Sequence, residues 1–192
     1  MKRRALIPFL LVMAGSLGAE EVKKQAAEEM LQGYIEAARP VAEHDRLRSL
    51  SGSWNVTSRL WFGPGHEPVT GRGTATGRMI LGNRFLQIDS TVDQPLPAEA
   101  MTILGFDRRT SDYTMVGFDT LGTYYVTAAG KYDEREKAVV LSGSYARPPS
   151  GREQTYRFVW DTPSETEHVL KLYFATPEGE TLVAETRYTR PR

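Results

Sequence analysis

The side chains that could carry out metal or acid–base chemistry are few and widely spaced in this chain. It has three histidines, His44, His66 and His168, and no cysteine. No two histidines have the spacing of paired metal ligands, and no thiolate is present to act as a nucleophile or ligand. The sequence therefore predicts no metal site and no cofactor. His168 is expected to have an ordinary surface or capping role at the start of a strand.

Four carboxylates, Asp89, Asp119, Glu167 and Glu185, lie within or at the ends of predicted strands. Two of them inside one fold could act as a general acid and a general base. Side chains alternate between the faces of a strand, however, and this alternation favours the solvent face for these four. The chain also lacks a serine nucleophile elbow, a glycine-rich phosphate loop and a paired-histidine motif. No catalytic residue is predicted.

The first residues have the three-part form of a secretory signal. Lys2, Arg3 and Arg4 precede an apolar run from Ala5 to Ala14, and small residues follow up to position 19. The apolar run is shorter than the ~20 residues that span a bilayer. We expect residues 1–19 to be a cleaved signal, with no membrane span left after its removal. The protein is then periplasmic or secreted.

The charge balance argues against nucleic acid as a partner. The whole chain has 24 basic and 24 acidic residues, so it is formally neutral. Without Lys2, Arg3 and Arg4, 21 basic residues remain against the same 24 acidic ones. Nucleic-acid binding normally requires a basic stripe.

Residues 20–50 form the predicted helical N-terminal segment. Good helix formers fill 20–39, with Val22, Ala26 and Met30 on one side. Pro40 ends this helix, and a second short helix within 41–50 is expected to cover one end of the next domain.

Residues 51–192 have the pattern of an all-β domain. Polar residues alternate with Val, Thr, Tyr, Phe and Trp between short Gly, Pro, Asp and Ser clusters. The predicted strands are 53–62, 69–81, 84–92, 99–106, 113–119, 123–132, 138–145, 152–160, 166–174 and 181–189. Links this short allow only antiparallel neighbours, and closure hides the sheet edges. We predict an antiparallel up-and-down barrel of about ten strands, with a two-sheet sandwich as the alternative.

Both ends of this β-rich region carry a motif. It begins with Gly52-Ser53-Trp54 and ends with Tyr188-Thr189-Arg190. The pair resembles the lipocalin signature, in which Gly-x-Trp opens the first strand and a basic residue of the last strand packs over the Trp ring. The resemblance implies a lipocalin-like (calycin) barrel closed by Trp54 and Arg190 through a cation–π contact of roughly 0.5 to 2 kcal/mol.

The region from about His44 to Arg190 also resembles a bacterial family of lipocalin-like domains with no assigned function. Its landmarks include the Gly-Pro-Gly loop at 63–65 and the Met-Ile-Leu-Gly-Asn-Arg-Phe-Leu-Gln segment at 79–87. The resemblance implies a fold and no particular chemistry. Gly117 departs from the family, whose members tend to carry an aromatic residue there, and this glycine predicts a larger cavity.

Strand alternation predicts an apolar interior with scattered hydroxyl groups. If Trp54 faces inward, Phe62 at the other end of its strand does so too. A ligand cavity of at least about 300 Å³ is predicted at six inward positions: Ser58, Tyr124, Tyr145, Tyr156, Trp160 and Tyr188. A filled core would have the same pattern.

Three functions are compatible with these observations. The favoured one is a non-catalytic carrier or sensor for a small, largely apolar molecule, because an apolar lining with a few hydroxyls suits such a ligand. The alternatives are an enzyme that uses the barrel as a reaction chamber and an envelope interaction module that docks through the helix at 20–39.

The signal prediction can be tested by mass. Cleavage after Gly18 or Ala19 should shorten the exported protein, and intact-mass measurement of the periplasmic fraction detects the loss. A full-length mass in that fraction would contradict the prediction.

Overall fold

The computed structural model is a closed barrel of ten antiparallel strands. It describes residues 13–63, 65–147 and 149–192, with the backbone alone for 13–19. The strands are β1 Gly52–Leu60, β2 Val69–Ile80, β3 Phe85–Gln94, β4 Ala98–Asp107, β5 Asp112–Asp119, β6 Tyr125–Asp133, β7 Ala138–Arg147, β8 Arg152–Ser164, β9 Glu167–Thr176 and β10 Gly179–Thr189.

Each strand pairs with its neighbours in sequence, and β1 pairs with β10 to close the ring. The closing register places Asn55 opposite Thr189 and Leu60 opposite Ala184. The short links leave no room for parallel crossovers, so a meander results. The predicted up-and-down barrel is confirmed, and the alternative of a sandwich is wrong.

Two helices precede the barrel, α1 Met13–Ala37 and α2 Ala42–Arg48. The chain divides after Arg39 into a helical unit and a unit that contains α2 and the barrel. The predicted signal lies outside the described residues over positions 1–12. Among the helices that are described, none is both long and apolar enough to cross a membrane.

Helix α2 covers one end of the barrel, as predicted. Leu47 and Leu50 are buried and join the barrel core. At the start of the helix, the Val41 amide donates a hydrogen bond to Nδ1 of His44 over 3.0 Å, which satisfies one of the free amides of a helix N-terminus. His44 also packs edge-on against Phe106, with ring centroids 5.9 Å apart. These contacts hold the helix against the sheet.

The barrel interior differs between the end covered by α2, here called the α2 half, and the opposite end, called the far half. Register and alternation place large side chains in the α2 half, among them Trp54, Leu86, Leu104, Tyr113, Leu141, Phe158, Trp160 and Tyr188. Small ones dominate the inward positions of the far half: Gly71, Gly73, Ser90, Ala98, Ala100, Thr102, Gly117, Gly143, Ala184 and Thr186. The core therefore fills the α2 half.

A stacked contact in the α2 half reinforces the pairing of the first and last strands. The guanidinium carbon of Arg190 lies 3.7 Å from the Trp54 ring centroid. The Trp54 indole donates to the Leu50 carbonyl over 2.9 Å. Gly52 has φ of +103°, and a Cβ there would lie 2.4 Å from Nη1 of Arg190. Glycine is therefore required at the start of β1 for its backbone angle and for the approach of Arg190.

One inward prediction fails at the other end of β1. Phe62 is 72% exposed. The strand ends at Leu60, after which the Trp61 amide bonds to the Val183 carbonyl, so the alternation does not extend to Phe62.

The closing contact can be tested by stability. Trp54→Ala should lower the free energy of unfolding by about 3 to 5 kcal/mol, because it removes a buried ring. Arg190→Ala should cost about 2 kcal/mol or less, the range of a cation–π contact. Urea titration measures both.

The control is Arg187→Ala, an arginine on the outer face of the same strand that pairs with Glu167. Its loss should change the free energy by about 1 kcal/mol at most. A cost for Trp54→Ala no larger than for this control would contradict the assigned role of the ring.

Candidate functional site

Four rings form the base of the barrel interior, and we call them the aromatic floor: Trp54, Trp160, His168 and Tyr188. The imidazole of His168 stacks on the Tyr188 ring, with centroids 4.2 Å apart and planes 12° from parallel. The Trp54 indole meets it edge-on at 4.4 Å. Such contacts are favourable beyond the area they bury. The floor therefore has a defined geometry below the far half.

His168 is buried, contrary to the surface or capping role expected for it, with 1% of its surface exposed. The Trp160 indole donates to its Nδ1 over 3.0 Å, so the neutral ring carries its proton on Nε2. Nε2 is buried and has no hydrogen-bond partner among the described residues. Burial first, and the nearby charge of Arg190 second, lower the pKa of His168 to about 3.

The floor stays uncharged at neutral pH. Burial raises the pKa of Tyr188 to about 12, while His168 is already neutral. Neither group changes its protonation near pH 7, as a general acid or base must do. Among the described residues, no group of three or more His, Cys, Asp or Glu side chains is placed to hold a metal ion.

The six predicted ligand residues differ in their burial. Tyr156, Trp160 and Tyr188 are buried inward, and Ser58 is 9% exposed. Tyr145 faces inward opposite Gln154 at the rim, where it is 36% exposed.

Tyr124 contradicts the predicted inward orientation. It is 66% exposed, because β6 begins only at Tyr125 and Tyr124 belongs to the preceding turn. Its ring lies over Gly122, where a Cβ would be 2.4 Å from the ring.

Tyr156 already has a protein partner for its hydroxyl group. It donates to the Thr127 carbonyl of β6 over 2.7 Å, across β7. Its ring lies beneath Gly143, where a Cβ would be 2.6 Å from Tyr156 and 2.3 Å from the Thr127 oxygen. Glycine at 143 is therefore what allows this crossing. A ligand does not need to satisfy this hydroxyl.

The larger hollows of the described structure are elsewhere. One of about 490 Å³ lies over β2 to β5 and is bordered mostly by outward side chains such as Thr74, Thr91 and Met101. Another of about 530 Å³ lies beside α2, next to Arg46 and Lys131. Of the six predicted residues, only Trp160 borders a described hollow, a gap of about 20 Å³ under α2. A shared cavity at the other inward positions stays a prediction.

The far half instead presents inward side chains that solvent still reaches. We call them the far inner wall: Ala100, Thr102, Gly117, Val126, Leu172 and Phe174. All six are only partly buried although they face inward. Strands β4 and β9 are five places apart in the ring of ten, so Thr102 and Leu172 lie on opposite sides of the interior. Solvent access to both sides indicates an open mouth at this end.

Gly117 contributes to this opening. A Cβ built on it would contact only Val126, at 3.0 Å. It faces Thr102 across the β4–β5 ladder, so two small residues stand side by side. This glycine was the one sequence signal that pointed to the far inner wall, whereas the other five residues carry no motif.

Comparison with known proteins identifies the family. The family described as a protein of unknown function, DUF1579, matches residues 39–190. The chain belongs to this family. The match covers α2 and all ten strands, so the motifs of the barrel ends fall within a DUF1579 domain.

A solved structure supports the fold of this DUF1579 chain. The crystal structure of Rv2717c from M. tuberculosis is similar with a TM-score of 0.55 at 16% identity, covering 80% of this chain and 100% of that one. A redesigned β-barrel, b11L5F_LGL, has a TM-score of 0.39 at 14% identity, over 76% of this chain and 95% of that one. No curated protein matches the sequence.

Burial of neutral His168 predicts a pH-dependent stability. In the unfolded chain its pKa returns to 6.5, against about 3 in the fold. Below pH 6.5 the unfolded chain therefore binds a proton that the folded chain does not, and stability falls as pH falls. From pH 7 to pH 5 this single group should cost about 2 kcal/mol.

The measurement is urea titration at both pH values for the wild type and His168→Gln, which keeps an acceptor for Trp160. The variant should lose about 2 kcal/mol less than the wild type over this range. His66→Gln, in an exposed loop, is the control and should follow the wild type. Equal pH dependence in the wild type and His168→Gln would show that His168 is not buried neutral.

Proposed function

We propose that the protein is an exported, non-catalytic carrier or sensor that binds a small, largely apolar molecule in the far half of its barrel. Export rests on the signal pattern of residues 1–19. Binding rests on one observation, the partly buried far inner wall above a completed core. In a filled barrel, inward side chains at mid-height would be fully buried, as Leu86 and Leu141 are in the α2 half.

The chemistry of the wall defines the class of ligand. Among the inward positions of the described strands, the single carboxylate is Asp119, which stands at the exposed end of β5. The remaining wall is mostly aliphatic, aromatic or small, with hydroxyls at Ser90, Thr102 and Thr186. Gln154 and the exposed Arg147 and Arg152 stand at its rim. Burial of an apolar ligand body would contribute about 25 cal/mol per Å². The hydroxyls would orient one or two polar atoms, and a charged group would remain at the mouth.

A carrier fits the aromatic floor better than an enzyme does. A reaction chamber needs an ionisable group whose pKa lies near the working pH. The floor holds His168 with a pKa of about 3 and Tyr188 with a pKa of about 12, so both are neutral there. The floor therefore offers a ligand rigid apolar surface.

A second candidate function, an envelope interaction module, is favoured by α1. Its apolar side chains Met30, Leu31 and Tyr34 are between 57% and 70% exposed. Exposed apolar residues on a helix are typical of a docking surface. Deletion of residues 20–37 separates the two functions, because a carrier keeps its ligand and an interaction module loses its partner.

The carrier function predicts that filling the far half weakens binding. Thr102→Phe places a ring beside Gly117 on the inner wall, so the affinity for the neutral apolar dye N-phenyl-1-naphthylamine should fall about tenfold, or 1.4 kcal/mol. Fluorescence titration of the purified protein measures the dissociation constant.

Ile103→Phe is the matched control, since it adds a ring to the outer face of the same strand. Its dissociation constant should stay within about twofold of the wild type. Equal weakening by both variants, or no dye binding to the wild type, would contradict the proposal. Native mass spectrometry of protein purified from its own host then identifies the natural ligand as a co-purifying mass.

A further inference from the structure

One stretch of the barrel wall lacks strand pairing. The β6–β7 register runs from Asp133 opposite Ala138 to Ala129 opposite Ser142, and it ends there within the described strands. Both strands continue: β6 begins at Tyr125 and stays paired with β5, and β7 reaches Arg147 paired with β8. Residues 125–128 and 143–147 therefore form two facing edges without a ladder between them, and we call this place the wall slit.

The Tyr156 hydroxyl lies at the point where the ladder stops. In an unbroken ladder the Thr127 carbonyl would accept a hydrogen bond from β7. It accepts one from Tyr156 instead, over 2.7 Å, from the inside of the barrel. The contact of Tyr156 with Gly143 places its ring directly below the slit. One side-chain hydrogen bond thus spans β6 and β7 where backbone bonds end.

The slit is bordered by exposed aromatic side chains. Tyr125 on β6 is 63% exposed and Tyr145 on β7 is 36% exposed. The Tyr125 ring packs against Phe118 of β5 with centroids 5.9 Å apart. The Tyr145 ring contacts Phe174 of the far inner wall, with centroids 6.3 Å apart. Aromatic surface therefore stands on the outer face beside the slit, at Tyr125, and on the inner face, at Tyr145.

We propose that a largely apolar ligand enters and leaves the far half sideways through the wall slit. The Tyr156–Thr127 hydrogen bond, here called the latch, keeps the slit closed. This inference rests on the proposed function. Unpaired strand edges cost little to separate, because no ladder bonds must be broken. An apolar molecule would exchange the aromatic surface of the rim for that of the interior.

The absence of cysteine from the chain allows a clean test by cross-linking. Extending the β6–β7 register places Thr127 opposite Ser144, and both residues are exposed. The double variant Thr127→Cys with Ser144→Cys therefore allows a disulfide that joins the two edges of the slit. The matched control is Thr74→Cys with Thr91→Cys, an exposed pair on β2 and β3 whose hydroxyl oxygens are 3.4 Å apart. Each variant is compared oxidised and reduced.

Stopped-flow fluorescence with N-phenyl-1-naphthylamine gives the rates. Oxidation of the slit pair should slow association and dissociation of the dye by about tenfold each, while the dissociation constant stays within about twofold, because a gate changes rates and leaves the end states alone. Reduction should restore the rates, and oxidation of the control pair should leave them unchanged. Unaltered rates with the slit disulfide in place would overturn the proposal.

Tyr156→Phe is the second variant, and it tests the slit as the ligand route if the disulfide between positions 127 and 144 does not form. Loss of the latch should raise both rates by about threefold or more, with the dissociation constant again nearly constant. Rates equal to those of the wild type in this variant would overturn the slit as the route. Failure of the wild type to bind the dye at all would reject the proposed function itself. If the wild type binds the dye but the slit variants leave its association and dissociation rates unchanged, only the slit is rejected.

Discussion

The pairing of β1 with β10 is the constraint on which the barrel depends. A sheet of ten strands has two edges until its first and last strands meet, and exposed edges invite aggregation. Arg190 stabilises this β1–β10 pairing, which we call the seam. Its guanidinium carbon lies 3.7 Å from the Trp54 ring centroid. The same indole bonds to the Leu50 carbonyl, which ties α2 to the seam. Gly52 permits the approach of Arg190, so the first strand, the last strand and the covering helix are joined at one place.

The seam also determines how the interior is used. With Trp54 fixed in the α2 half, the aromatic rings of β8, β9 and β10 pack around it and complete a dense floor. Burial in that floor, with the nearby charge of Arg190 as a second cause, keeps the pKa of His168 low. The far half has small residues at many of the corresponding positions, and the six side chains of the far inner wall remain partly exposed. Under the proposed function, stability and binding belong to opposite ends of one barrel, and large side chains can serve the first without blocking the second.

Membership of DUF1579 establishes the fold family and leaves the chemistry to the residues themselves. An interior with one carboxylate at its rim and a neutral floor is suited to holding an apolar body rather than to moving protons. Under the proposals made above, the wall slit would provide a route through unpaired strands that avoids the tightly packed floor. Carriage would then be a property of the far half, and access a property of the β6–β7 edge.

The sequence alone determined the ten strands and their meander, because period-two alternation and short turns are local properties. The meeting of Trp54 with Arg190 was implied by the resemblance of the two end motifs to the lipocalin signature. The exposure of Phe62 and Tyr124 was decided by where strand pairing starts and stops, which alternation does not record. Burial of His168 depends on Trp160 and Tyr188 from two other strands. The slit likewise depends on Tyr156 reaching Thr127 past Gly143. Contacts between distant residues carry no local signal, so only the tertiary structure could decide them.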